Sequence, residues 1–235
     1  MLLLLAFQAI GQRKVYYKNR SEPVRSTDEY LFYDEIRDIT PDSSYVKEYG
    51  KLGNLQEEGA FAGYGTKTEK PLGAHRKYYK DGGALKATIQ YTDGKETEIR
   101  SYYPSGKLKR IQTYDGEGKP KGECFEEDGS PRAFTPFEQI PQFPGGENAL
   151  MTYISENIAY PKKAFKKNIQ GIVYASFVVN KNGTISDIAI VKGLKYGCNE
   201  EVVRMLSSMP VWEPGKADDV PLKVKFTLPV KFKIK

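Results

Sequence analysis

The sequence predicts an α+β protein, in which an N-terminal array of antiparallel β-hairpins is followed by a small domain of two or three helices packed on a second antiparallel sheet. Three observations predict it. Gly83, Gly106 and Gly129 recur at 23-residue intervals among aromatic positions. Prolines 131, 136, 141 and 144 crowd one stretch of chain. Beyond them, helix-period segments alternate with strand-period ones and end in residues 222–234, where apolar and polar side chains alternate without a break.

The 235 residues suffice for one large domain or two modest ones, and 39% hydrophobic content with 17 Tyr and 11 Phe suits a globular, β-leaning chain. Charge is unevenly placed. Residues 1–146 balance their acids and bases, so the whole net charge of +6 falls on the remainder. A basic domain suits an acidic partner or an anionic lipid surface. Without an aromatic RNA platform or an Arg-studded groove-reading helix, nucleic acid is not expected.

Residues 1–11 form an apolar run closing in small residues, too short to span a bilayer. They read as the hydrophobic part of a secretory signal peptide cleaved between Gly11 and Gln12, although no Lys or Arg precedes Leu2. A buried N-terminal strand or helix is the alternative. Export places the chain in the periplasm, where it is either soluble or associated with the outer membrane. Residues 12–45 alternate poorly and support a strand pair at most, with no function assigned to them.

The repeat covers residues 46–134. Tyr79, Tyr102 and Phe125 stand four residues before the repeating glycines, and Tyr91, Tyr114 and Phe137 stand eight after. Each unit therefore reads as strand, tight turn, strand, with glycine supplying the positive φ of the turn. The aromatics fit cross-strand pairs that a single hairpin cannot bury alone, and a carbohydrate or peptide platform is the functional alternative. These units resemble MORN-like hairpin repeats, which implies a meandering antiparallel sheet with no fixed activity.

Residues 135–146 are expected as a stiff Pro-rich linker, leaving residues 147–235 as the second domain. Leu150, Tyr153, Ile154 and Ile158 fall at helical spacing. Pro161 opens a short basic helix carrying Lys162, Lys163, Lys166 and Lys167. Strands at 172–180 and 184–191 flank Asn182-Gly183, a hairpin-turn pair. Asn199 is placed to cap a helix whose buried stripe is Val202, Met205, Leu206 and Met209. In the final strand one face is apolar and the other is basic, and Pro229 requires an edge or a bulge.

These pieces come in the order of the TonB C-terminal domain family, which the chain resembles over about residues 143–235. The resemblance rests on Phe143-Pro144-Gly145-Gly146, Tyr160-Pro161-Lys162-Lys163-Ala164, Gly171 with its hairpin, and Cys198-Asn199-Glu200-Glu201. Residues 209–215 and the terminal Phe226-Thr227-Leu228-Pro229-Val230 complete it. The forms at 143–146 and 226–230 look like the Bacteroidetes-type variant. The resemblance implies strand addition of an extended segment, the N-terminal peptide of an outer-membrane TonB-dependent transporter or a related envelope protein. It places partner binding on Tyr160, Pro161, Lys223, Lys225 and Thr227. Homodimers through edge strands also fit the sequence, and the four-lysine helix reads as a solvated face, with contact to anionic lipid headgroups or an acidic partner as the alternative.

The alternative function is a structural envelope protein whose hairpin repeats make the protein contacts. An enzyme is not expected, because one His, no phosphate-binding loop and no nucleophile elbow leave little from which to build a site. Neither cofactor nor metal is expected. Asp218-Asp219 reads as a solvated turn. Cys124 and Cys198 are permitted to pair but are favoured as separate buried thiols.

Overall fold

The computed structural model describes residues 12–19, 22–24, 31–81 and 83–234. The signal-peptide reading of residues 1–11 lies outside them. The chain divides into two units, Met1–Pro136 and Phe137–Lys235.

The first unit is an antiparallel sheet of eleven strands among the described residues. They are β1 (Gln12–Asn19), β2 (Glu22–Val24), β3 (Phe32–Thr40), β4 (Ser43–Gly50), β5 (Leu55–Ala62), β6 (Lys70–Tyr78), β7 (Leu85–Thr92), β8 (Lys95–Tyr102), β9 (Leu108–Tyr114), β10 (Pro120–Phe125) and β11 (Pro131–Arg132). From β3 to β11 they pair in chain order, while β1 lies between β3 and β2. The 12–45 segment is thus richer in strand than its sequence suggests, because β1 and β3 gain their order from pairing with each other.

The 23-residue period has a direct structural basis. Gly106 and Gly129 sit at φ +82° and +91° in turns where their N–H groups donate to Tyr103 O and Glu126 O, at 2.8 and 2.9 Å. Tyr79 and Tyr103 each send a hydroxyl to the main chain about one period on, Tyr102 O and Phe125 O, both at 2.8 Å. One repeat is tied to the next by a half-buried phenol as well as by the ladder. The buried face carries Ile36, Val46, Ala87, Ile89 and Ile99, with Arg110 wholly buried and donating from Nε to Thr135 O at 2.9 Å.

The second unit contains β12 (Glu138–Gln139), α1 (Gly146–Asn157), α2 (Lys162–Lys166), β13 (Gly171–Val179), β14 (Ile185–Lys192), α3 (Cys198–Ser207), β15 (Lys216–Ala217), β16 (Val220–Pro221) and β17 (Val224–Phe232). Two three-stranded sheets result, β12-β15-β16 and β14-β13-β17. Their core gathers Leu150 of α1, Ala164 of α2, and Val202, Met205 and Leu206 of α3. These pack with Val173, Ala175, Phe177 and Val179 of β13 and Leu228, Val230 and Phe232 of β17. Trp212 is its aromatic centre, with ring centroids 5.5 Å from Phe177, 5.4 Å from Phe226 and 5.7 Å from Phe143.

Four expectations are corrected. Residues 135–146 are not a free spacer: Phe137 and Phe143 are buried, and β12 pairs with β15. Proline there blocks helix but leaves short strand and bridge pairings, including Gln142 with Glu213. Asn199 does not cap α3. Gly197 occupies that position at φ +95°, and Asn199 Oδ1 instead accepts from Leu194 N at 2.9 Å. Pro161 stands one residue before α2, at its cap, with its carbonyl accepting from Phe165 N at 2.9 Å. Asp218 is buried in the tight turn joining β15 to β16, where it and Asp219 take φ +52° and +67° and the Asp218 N–H donates to Phe137 O at 2.7 Å. Both cysteines are free and buried, in separate units.

Candidate peptide-binding edge

β17 is built to be half of a ladder. It pairs with β13 over nine residues, from Val179↔Val224 to Gly171↔Phe232, without a register shift. Its apolar residues Leu228, Val230 and Phe232 are buried, while Lys225, Thr227, Pro229 and Lys231 are exposed, as a period of two requires. The strand is terminal in the order β14-β13-β17, so among the described residues its outer border is unpaired.

Which main-chain groups line that border follows from two observations. Pro229 has no N–H to give, so an unbroken pairing with β13 turns its nitrogen outward. At the far end Ile234 N–H donates to Gln170 Oε1 at 3.1 Å, on the β13 side. Even-numbered positions therefore face β13, and the N–H and C=O of Lys225, Thr227 and Lys231 face out, with the carbonyl of Pro229.

The opposite border of this sheet is a poorer template. β14 pairs with β13 through two register shifts, and Asp187 within it takes φ +52°. Bulges of this kind twist a strand and interrupt its row of donors and acceptors.

The five residues expected to bind a partner fall in two places. Lys225 and Thr227 lie on the exposed face of β17, and Lys223 is exposed immediately before it. Tyr160 packs instead at the other end of the strand, its ring edge-on to Phe232 at 5.5 Å and to Phe165 at 5.8 Å. Phe232 is seven positions from Lys225, about 23 Å at roughly 3.3 Å per residue. The Tyr160 hydroxyl donates to the main-chain oxygen of Ile169, and burial raises its pKa. Tyr160 and Pro161 thus set the path from α1 into α2, whereas the three β17-side residues line the open border.

Sequence reasoning missed the latch that fixes that path. Glu201 Oε1 accepts from Ala159 N at 2.7 Å, and Arg204 donates to Asn157 O at 2.6 Å while pairing with Glu201. The Arg204 guanidinium is the main cause that holds the Glu201 carboxyl below its usual range, with the Ala159 N–H adding to it. Their i, i+3 spacing was visible, but their grip on the preceding loop was not.

The C-terminal unit is thus a small α+β domain with a straight strand border that is unpaired among the described residues. Residues 156–234, about a third of the chain, match the family model described as Gram-negative bacterial TonB protein C-terminal. Among solved structures, an NMR structure of the Helicobacter pylori TonB C-terminal domain (residues 194–285) is 26% identical. The match covers 37% of this chain and 90% of that one, with a TM-score of 0.29. A longer form of the same domain (residues 179–285) is 29% identical, covering 39% and 87%, with the same TM-score of 0.29. No curated protein matches the chain. Among the described residues no helix is long and apolar enough to cross a membrane.

Proposed function

We propose that the C-terminal unit is a non-catalytic protein-interaction module of the cell envelope, which captures an extended partner segment as an added strand on β17. The favoured partner is the N-terminal segment of an outer-membrane TonB-dependent transporter or a related envelope protein, met in the periplasm. The observation that carries this reading is the nine-residue border of β17, unpaired among the described residues, straight in register and exposed along its basic face. Main-chain hydrogen bonds supply affinity, and Lys223, Lys225 and Lys231 favour an acidic guest. Pro229 deletes one donor, so the guest is held chiefly beside Lys225 and Thr227. The same proline and lysines keep two copies of the chain from pairing edge to edge.

Calorimetric titration of the full chain with such a transporter peptide, with amide shifts followed by NMR, tests the proposal. Binding should move the amides of Lys225 and Thr227 most. No binding at high micromolar peptide, or shifts confined to β14 and the helices, would overturn it.

A further inference from the structure

Lysines are treated differently in two of this chain's sheets. In the first unit they stand directly opposite carboxylates of the next strand, Lys14 opposite Glu35 at 2.7 Å and Lys47 opposite Glu58 at 3.8 Å. In the second unit, Lys225 and Lys231 lie on the exposed face of β17, and the exposed Lys223 and Lys233 continue that face at its two ends. The β13 residues directly opposite Lys225 and Lys231 are Val178 and Ile172, and neither carries charge. Among the described residues none of the four lysines makes an ion pair. Opposite charges facing each other across a strand pair stabilise it. On β17 the lysines are in place, β13 leaves them without a counter-charge, and the other flank is the open border.

Along that face the order is Lys223, Lys225, Thr227, Pro229, Lys231, Lys233: two lysines, two uncharged residues, two lysines. Lys225 and Lys231 are six positions apart, about 20 Å at roughly 3.3 Å per residue. Strand pairing fixes register residue by residue, and a slip of one turns every side chain to the other face. A guest strand therefore meets the two lysines at set positions of its own, also six apart and on one face. The order reads the same in both directions, so the charges select the guest's register and not its polarity. The same symmetry excludes a second copy of the chain: two β17 strands meeting antiparallel about Leu228 would oppose lysine to lysine at every charged position.

We propose, resting on the strand-addition reading of β17, that the guest is recognised by the register of its charges: acidic residues opposite Lys225 and Lys231, six apart on one face, with uncharged residues opposite Thr227 and Pro229. The partner is then an extended peptide with two separated acids, and overall acidity is not what selects it. Fluorescence anisotropy on the full chain tests this with three labelled nine-residue peptides, valine at every odd position and both ends blocked. The first carries Glu at positions 2 and 8 and Thr at 4 and 6, the second exchanges them, and the third has Thr at all four. Laid along Val224–Phe232 in either direction, positions 2 and 8 meet the lysines, while 4 and 6 meet Thr227 and Pro229. The first peptide should bind about 2- to 30-fold more tightly than the other two, as two cross-strand charge pairs imply. It equals the second in composition and net charge, so that difference reads register alone. Replacing both lysines, Lys225→Gln with Lys231→Gln, should remove the preference. If the first peptide binds no more tightly than the second or third, or keeps its preference in the double variant, charge register is overturned while strand addition stands. Failure of all three to bind at high micromolar concentration overturns both.

Discussion

Replacing Thr227 by proline isolates the outer border of β17 from the fold that carries it. Odd-numbered positions of the strand face outward, as Pro229 and the Ile234–Gln170 bond together require. The substitution thus deletes a donor that only a guest strand would use. Phe226, which precedes it, is in extended structure already, as a residue before proline prefers. Stability should change by no more than about 1 kcal/mol. A guest carbonyl left facing the proline ring loses its partner, at about 1–3 kcal/mol, which makes Kd roughly 5- to 150-fold weaker. Thermal unfolding and peptide calorimetry on the same samples read the two quantities separately. A variant that unfolds would show that the Thr227 N–H faces β13 and that the assignment of outward groups is inverted. A variant that stays folded and binds the peptide with unchanged affinity would show that the guest does not add at this border.

Other perturbations test the supporting structure. Gly183→Ala combines φ +80° with a Cβ that would lie 1.9 Å from Trp212 O, so it should cost about 3 kcal/mol, read by denaturant unfolding. Glu201 is depressed below its ordinary 4.5, so its stabilisation is complete above that pH and fades as pH falls through its lower folded value. Glu201→Gln should lower the neutral-pH melting temperature and flatten its dependence on pH below about 4.5. Tyr160→Phe should lower the melting temperature slightly through the lost Ile169 contact while leaving peptide affinity unchanged, which a parallel titration checks. Lys162, Lys163, Lys166 and Lys167 are exposed around an exposed Phe165, so sedimentation with anionic liposomes should show salt-sensitive binding that is lost when all four become glutamine.

Elements whose order is local were legible in the chain. The Asn182-Gly183 turn, the stripe of α3 and the alternation of β17 are written in neighbouring residues, because side-chain direction has a period of two in a strand and 3.6 in a helix. The repeating glycines marked their turns for the same reason: positive φ is a property of one residue. Where a role depends on a distant partner, local reading erred. Asn199 has the chemistry of a cap, but Leu194 takes its oxygen and Gly197 ends up at the cap position. Prolines 136, 141 and 144 forbid helix, yet nothing nearby in sequence says that Phe143 will be buried against Trp212. The opposed carboxylates Asp34, Glu48 and Glu57 are spread over three strands, so only the register brings them together.

The sequence by itself determined that this chain carries an α+β module ending in an amphipathic strand, because hydrophobic period and turn chemistry act over a few residues. It could not determine which strand would be left without a neighbour. That was decided by tertiary structure: β13 lies between β14 and β17, β14 is bulged, and β17 keeps a straight outer border. Pairing is a contest among distant segments for the same donors and acceptors, and its result exists only once the sheet has formed.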